Sequence, residues 1–314
     1  MYWLHCRAMA MCRLWKKPRS EASRGRLINK QEILKMTYTT LSTEINGAVM
    51  RVKLNNGDVN MMSAGMAGEL FALVGGLAVN PDIKVVVFES DNPDFFIAHF
   101  ELNDILKSIA GDPAMPASKY ADINILQSLG LSINALPQVT IAKVDGICRG
   151  GGMELILAMD MVFASEQARF ALPEASVGFL PSGGGATLLP ARVGRGRALE
   201  IMLTGRDFSG AEAESYGLVN CTLEDSKALD AYVDGAVERI QNVRIEAISA
   251  VKATVKKPFE GLRGGLLAGF AQENASMVEC ISDPQVFAAL QALAANSGTR
   301  ETELELADTI AGIL

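Results

Sequence analysis

From residue 43 onward the chain alternates between two hydrophobic periods. Residues 48–54 alternate apolar and polar side chains, the pattern of a strand with one wet face, whereas residues 62–79 place apolar side chains at helical spacing. Residues 83–88 are a Val/Ile-rich run broken only by Lys84, the texture of a strand buried on both faces. The spacing predicts a helix over 120–136, stopped by Pro137, and a short strand over 139–144 that runs into Gly146. Residues 162–164 and 169–172 are short enough for strands, and a turn, Pro181-Ser182-Gly183-Gly184-Gly185, follows. Such alternation predicts α/β layers.

Beyond Arg195 the pattern is mostly helical, with helices predicted over 229–240, 245–255, 262–279 and 286–295 and a terminal helix over 301–314. This divides the chain into a basic extension (1–36), a sheet-bearing core (37–220) and a helical C-terminal subdomain (221–314). No internal repeat of fixed period is visible.

At 314 residues, 49% apolar and 21% charged, the chain has the composition of a folded globular protein and not of a disordered one. Its charge is uneven. Residues 1–36 hold nine Lys/Arg against two Asp/Glu, so the total of −7 leaves −14 on residues 37–314, a poor surface for nucleic acid. The extension has the texture of an organellar transit peptide, or of translated sequence upstream of a true start at Met36. Five scattered cysteines without a CxxC pair fit a reducing compartment: the cytoplasm, or the mitochondrion if 1–36 is a transit peptide. No stretch reads as a membrane span, since the longest uncharged one, 123–142, is dotted with Asn and Gln.

The body holds a single histidine, His99, and none of the P-loop, dinucleotide-fold, GxSxG or HExxH motifs, which sets aside histidine-based zinc sites and Ser-His-Asp triads. His99 alone reads as a packed or surface residue. The strongest local feature is Val144-Asp145-Gly146-Ile147-Cys148-Arg149-Gly150-Gly151-Gly152-Met153-Glu154-Leu155, a strand, a glycine-rich turn and a helix start. Glycines there free backbone amides to face an anion or oxyanion, or serve close packing of strand and helix. Glu154 sits in the first helical turn and Glu174 follows Pro173 twenty residues later; two carboxylates beside an oxyanion turn divide acid and base roles. The aromatic stretch 92–102, containing Phe96-Ile97-Ala98-His99-Phe100-Glu101, offers a second backbone donor and an apolar wall, or an edge strand with core aromatics.

In order along the chain, Leu54-Asn55 and Asn60, Phe96-Ile97-Ala98, the 144–155 segment, Leu172-Pro173-Glu174, Val177 to Pro181, Gly184-Gly185, and Leu203-Thr204-Gly205-Arg206 through Gly217-Leu218-Val219-Asn220 resemble the enoyl-CoA hydratase/isomerase (crotonase) superfamily. The resemblance covers roughly residues 40–280. It implies the α/β crotonase-like (ClpP/crotonase) fold, a spiral of ββα units with a helical trimerisation region, assembled as a homotrimer or homohexamer. It further implies an acyl-coenzyme A substrate, with coenzyme A as part of the substrate and no metal or redox cofactor.

Carried over residue by residue, the resemblance assigns the oxyanion hole to the amides of Ala98 and Gly151, and substrate binding to Ala98, His99, Phe100, Glu101 and Gly151. Glu154 and Glu174 become the catalytic pair of a hydratase that adds water to a trans-2-enoyl thioester, Glu154 as base toward C3 and Glu174 exchanging the C2 proton. A double-bond isomerase and a non-catalytic acyl-CoA-binding member are the alternatives. Two residues depart from the family pattern. His99-Phe100-Glu101 replaces the usual Gly-x-Asp, and Arg149 stands where an apolar residue is usual; Arg149 is expected to face solvent, with Glu154 or a substrate phosphate as other partners. The Phe and Lys that often complete the coenzyme A site are not recognisable around 283–300.

Overall fold

The computed structural model describes residues 37–109, 122–260 and 265–313; the basic extension 1–36 lies outside them. Strands β1 (Leu41–Asn46) and β2 (Val49–Leu54) form a hairpin, followed by helix α1 (Ala64–Leu77). Then come β3 (Val85–Ser90), β4 (Phe95–Ile97), α2 (Leu102–Ile109), α3 (Ile125–Asn134), β5 (Val139–Val144), β6 (Ile147–Arg149) and α4 (Gly151–Leu157). After β7 (Met161–Ser165) and β8 (Arg169–Ala171) there is a 3-10 turn at Glu174–Val177, then α5 (Gly185–Val193), α6 (Arg195–Thr204), β9 (Phe208–Ser209), α7 (Gly210–Ser215) and β10 (Cys221–Leu223). Helices α8 (Ser226–Gln241), α9 (Ile245–Glu260), α10 (Gly265–Ile281), α11 (Pro284–Asn296), α12 (Arg300–Leu304) and α13 (Leu306–Ala311) complete the chain.

The strands make two sheets, in the orders β1-β2-β3-β5-β7-β10 and β4-β6-β8-β9. Each consecutive pair, β3/β4, β5/β6 and β7/β8, gives its first strand to the large sheet and its second to the small one. The chain therefore winds as a spiral of repeated two-strand units, the crotonase-like architecture that the resemblance implies. In the small sheet β4, β6 and β8 are parallel, Ile97 opposite Cys148 and Cys148 opposite Phe170, with a shift of register between Phe95 and Ile97 of β4. Their C-terminal ends thus open side by side, and the residues that follow them (98–100, 150–151 and 172–174) meet in one place, where ligands of parallel sheets are commonly bound.

Hydrophobic pattern explains the layers. Val86 and Phe88 of β3 enter the main core with Met50, Val52 and Leu54, whereas Val85 and Val87 face the other way, against Leu229, Val233 and Val237 of α8. A strand covered on both faces needs the continuous apolar run seen at 83–88. The alternation at 48–54 has a different outlet: Arg51 and Lys53 point to a charged ladder with Glu89, Asp91 and Asp234.

Three details differ from expectation. Residues 221–223 form β10, parallel to β7 at the edge of the large sheet, so the division drawn at residue 220 falls beside a strand of the core. The terminal helix read over 301–314 is two short helices, α12 and α13, broken at Glu305, whose φ is −114° and ψ 38°. These helices and α11 return to the core, where Leu290, Leu293, Leu306 and Ile310 pack with Leu102 and Val177. No helix among the described residues is long and apolar enough to cross a membrane.

Candidate active site

The parallel ends of β4, β6 and β8 form the floor of a cavity of about 370 Å³. Its polar floor holds His99, Phe100, Gly150, Gly151, Glu154 and Glu174; its apolar wall includes Leu126, Met277, Leu293, Leu306 and Ile310. Gly150 makes the bend from β6 into α4 with φ +48°, a conformation open to glycine and strained for other residues. A side chain there would also meet Glu174 Oε1 at 2.9 Å. Gly152 answers the other expectation for this motif, close packing: a Cβ on it would lie 2.7 Å from Ile97 Cβ and 2.8 Å from the Ile97 carbonyl oxygen.

Glu154 reaches from α4 into the turn at 181–185. Its Oε1 accepts the amides of Gly183 at 2.6 Å and Gly185 at 2.9 Å. Burial pushes its pKa up, the neighbouring charges of Glu174 and Glu273 push it further, and the two amides oppose them. Glu174 opens the 3-10 turn after β8. Burial raises its pKa to about 7, opposed by its own backbone amide and by the charge of His99. Its Oε2 is buried and has no hydrogen-bond partner among the described residues. Glu154 is buried and Glu174 half-buried, and two carboxylates in mutual repulsion do not ionise together readily, so the pair retains a proton near neutrality.

A third carboxylate of the site, Glu273, is buried and carries no motif in the sequence. It projects from α10 and accepts Gln127 Nε2 at 2.9 Å, the Gly184 amide at 2.7 Å and the Thr187 amide at 2.8 Å. The amides of the 183–187 segment are thereby shared between Glu154 and Glu273, which fixes the turn and, through it, Glu154. One signal was available: Glu273 is the sole charged residue between 265 and 278.

The 98–101 segment is divided. The structure brings His99 and Phe100 to the cavity with Gly151, Glu154 and Glu174, and places Ala98 and Glu101 off it. The Ala98 amide donates to the Asn60 carbonyl at 3.4 Å, and its side chain packs with Val59, Phe95 and Ile147. Asn60 holds the same stretch through Nδ2, which donates to the Phe96 carbonyl at 2.6 Å. Residue 100 bridges Met62 in parallel fashion: the Met62 amide donates to the His99 carbonyl, and the Glu101 amide to the Met62 carbonyl. That pattern turns the intervening Phe100 amide to the opposite side, toward Gly151, where a Cβ would stand 3.6 Å from Phe100 N. Glu101 Oε1 instead accepts the Asn103 amide at the start of α2.

Both departures from the family pattern are internal. Arg149 does not face solvent: it is buried, its guanidinium forks onto both carboxylate oxygens of Asp207, and Nη1 donates to the Glu303 carbonyl. His99 is buried with Nε2 3.0 Å from Glu303 Oε1. Burial alone would lower its pKa, but the Glu303 carboxylate and the Phe100 carbonyl raise it.

Comparison with known proteins agrees with this geometry. The enoyl-CoA hydratase/isomerase family model matches residues 44–292. The mitochondrial methylglutaconyl-CoA hydratase of Mus musculus is 28% identical over 223 residues, 71% of this chain and 69% of that protein. A crystal structure of a "putative enoyl-CoA hydratase" from Streptomyces avermitilis superposes with a TM-score of 0.80 at 34% identity, covering 88% of this chain and 99% of that one. Enoyl-CoA hydratase from Bacillus halodurans, at 24% identity and a TM-score of 0.71 over 81% of this chain and all of its own, shares the fold. The spiral, the glycine turn and the family match over most of the chain lead to one conclusion: the protein belongs to the enoyl-CoA hydratase/isomerase family and is an enzyme of that type.

Proposed function

We propose that the enzyme adds water across the double bond of a trans-2-enoyl-CoA thioester to give the 3-hydroxyacyl-CoA. The observation that carries this reading is the pairing of two carboxylates, Glu154 buried and Glu174 half-buried, on the same cavity floor as the Phe100 and Gly151 backbone. In this assignment the oxyanion donors are the amides of Phe100 and Gly151, Phe100 taking the place that the resemblance gave to Ala98. They hold the thioester oxygen as it gains negative charge, and a single such donor is worth about 10²–10³ in rate.

Glu154, ionised, takes a proton from water as the oxygen attacks C3. The π electrons move onto the thioester oxygen as an enolate, and Glu174, protonated, delivers its proton to C2. One water is consumed, the C3–O and C2–H bonds form, and the proton passes back from Glu154 to Glu174 before the next turnover. The shared proton makes pH decisive. Turnover should fall at acid pH as the pair takes up a second proton and at alkaline pH as it gives up the one it shares, giving a bell-shaped profile.

The test is loss of enoyl absorbance on a panel of trans-2-enoyl-CoA thioesters, with product mass as confirmation. Glu154→Gln and Glu174→Gln should each lower turnover by about 10²–10⁴ while leaving the fold intact. Wild-type turnover in either variant overturns its assigned role, and double-bond migration without gain of water would make the enzyme an isomerase. For assembly, Val251, Val255, Leu267 and Val278 of α9 and α10 stand 50% or more exposed. Contact between copies would cover them, in keeping with the homotrimer or homohexamer implied by the resemblance.

A further inference from the structure

We infer that His99 and Glu303 form a positioning pair, through which the C-terminal helix α12 holds the peptide that carries the Phe100 amide in register with Gly151. The inference rests on the hydratase reading above and concerns residues that touch neither water nor thioester in it.

Three observations lead to it. First, the two imidazole nitrogens make different contacts: Nδ1 hydrogen-bonds the Phe100 carbonyl oxygen at 2.7 Å, whereas Nε2 stands 3.0 Å from Glu303 Oε1 at ion-pair distance without hydrogen-bond alignment. The Nδ1–H that meets the Phe100 carbonyl is the single N–H of a neutral imidazole, so attraction between Nε2 and the Glu303 carboxylate requires the imidazolium. Second, Glu303 is fully buried and fixed from its own side, because the Gly298 amide donates to the same Oε1 at 2.8 Å. Third, the other departure from the family pattern converges on the same residue: Arg149, anchored by Asp207, donates to the Glu303 backbone carbonyl. Two non-family side chains, on the segments after β4 and within β6, thus grip one short helix that lies about 200 and about 150 residues further along the chain.

His99 also stands beside the reaction. A Cβ on Gly150 would lie 2.9 Å from Glu174 Oε1 and 3.5 Å from His99 Cβ, so carboxylate and imidazole flank the same glycine. The charged groups acting on His99 are Glu303 from α12, Glu174 from the 3-10 turn and Glu101 from its own segment; Glu303 in turn feels His99 and Arg149. Against the cost of burial, Glu303 keeps His99 protonated above its ordinary range, and His99 holds Glu303 below the usual carboxylate range. The pair is therefore lost as pH rises through the raised pKa of His99. Loss of that proton leaves one of the two contacts without a hydrogen and frees the Phe100 peptide.

The experiment uses the full chain with Glu303→Gln, which keeps an acceptor for Gly298 while removing the charge, and His99→Gln as a second variant. Two readouts are taken: kcat and KM against pH on an enoyl thioester that the wild type hydrates, and the NMR titration of the His99 Cε1–H. The chain has two histidines, so His5→Gln completes the assignment. Glu303→Gln should lower the His99 midpoint, move the alkaline limb of kcat to lower pH and cut kcat about tenfold with KM little changed, one hydrogen-bond contact's worth. If Glu303→Gln does not fold, His99→Gln must show the same loss of kcat and a flattened alkaline limb. Hydration at wild-type kcat and pH dependence in the variant overturns this inference alone, and so does a His99 that stays neutral across the titration. Absence of hydration by the wild type overturns the hydratase reading, and this inference with it.

Discussion

The floor and the roof of the cavity are built on different principles. The floor comes from two stretches of the spiral, the segment after β4 that carries His99 and Phe100 and residues 139–185, whose parallel strands deliver Gly151, Glu154 and Glu174 to the same cavity. The roof comes from the C-terminal helices, whose Leu293, Leu306 and Ile310 return across the whole length of the chain to cover it. Backbone geometry sets the floor: glycines at 150 and 152, and turn amides at 183 and 185. Side-chain packing sets the roof, with His99–Glu303 and the Arg149 bond to the Glu303 carbonyl stitching one to the other, Arg149 itself being anchored by Asp207. A site whose donors are backbone groups tolerates little change in its floor, whereas the roof is free to vary with the shape of what it covers.

Substitution of Gly152 should break the floor. An alanine methyl would meet the Ile97 side chain at 2.7 Å and its carbonyl at 2.8 Å, and backbone cannot rotate away as a side chain does. Gly152→Ala is expected to destabilise the fold by about 3 kcal/mol, read from the urea midpoint. Turnover should fall with it, because the displaced helix carries both Gly151 and Glu154. A variant with wild-type stability and turnover would show that β4 and α4 are less tightly joined than their contact implies.

The same contrast explains what was legible in the sequence. The floor is written locally: the strand at 139–144, the three glycines and Glu154 lie within sixteen residues, and period and turn chemistry suffice to place them. The doubly buried β3 and the alternating β2 are legible for the same reason. The roof depends on tertiary contacts that no local period encodes. Glu303 and Glu273 look like ordinary helical carboxylates until α12 and α10 fold back, and Arg149 reads as a surface cation until Asp207 and Glu303 are found beside it. The misplacement within 98–100 has a subtler cause. A bridge to Met62 decides which peptide of that segment faces inward, and neither Met62 nor Asn60 is adjacent to it in sequence.

A substitution in the roof should separate the two regions. Leu306 is 3% exposed, packs with Leu102 and Leu290, and lines the cavity. Leu306→Ala should cost about 2 kcal/mol, the low end for a buried leucine, since one side of the side chain already faces open space. The catalytic floor is untouched, so kcat on a short enoyl thioester should stay near wild type while KM shifts and bulkier acyl groups gain relative to short ones. Equal losses of kcat on every chain length would mean that the roof is part of the catalytic frame and not only of the acyl pocket.

The smallest effect is expected where roof and floor meet in solvent. Arg300, at the start of α12, forks onto Asp94 just before β4, with Nε 2.6 Å from Oδ2 and Nη2 2.9 Å from Oδ1. The geometry matches that of Arg149 and Asp207, yet the Arg300 side chain is half exposed while that of Arg149 is almost fully enclosed. Water screens the exposed pair, so its contribution should be slight and should fade with salt. The Arg300 contact holds Asp94 below the usual carboxylate range, so that small contribution is present above the ordinary aspartate pKa and disappears as pH drops through the lowered one. Arg300→Ala should therefore lower the unfolding midpoint only marginally at low ionic strength and not measurably at high salt, with turnover unchanged. A large or salt-insensitive loss would show that α12 is held as much by its exposed end as by Glu303, and the positioning role assigned to the buried pair would have to be shared with Arg300.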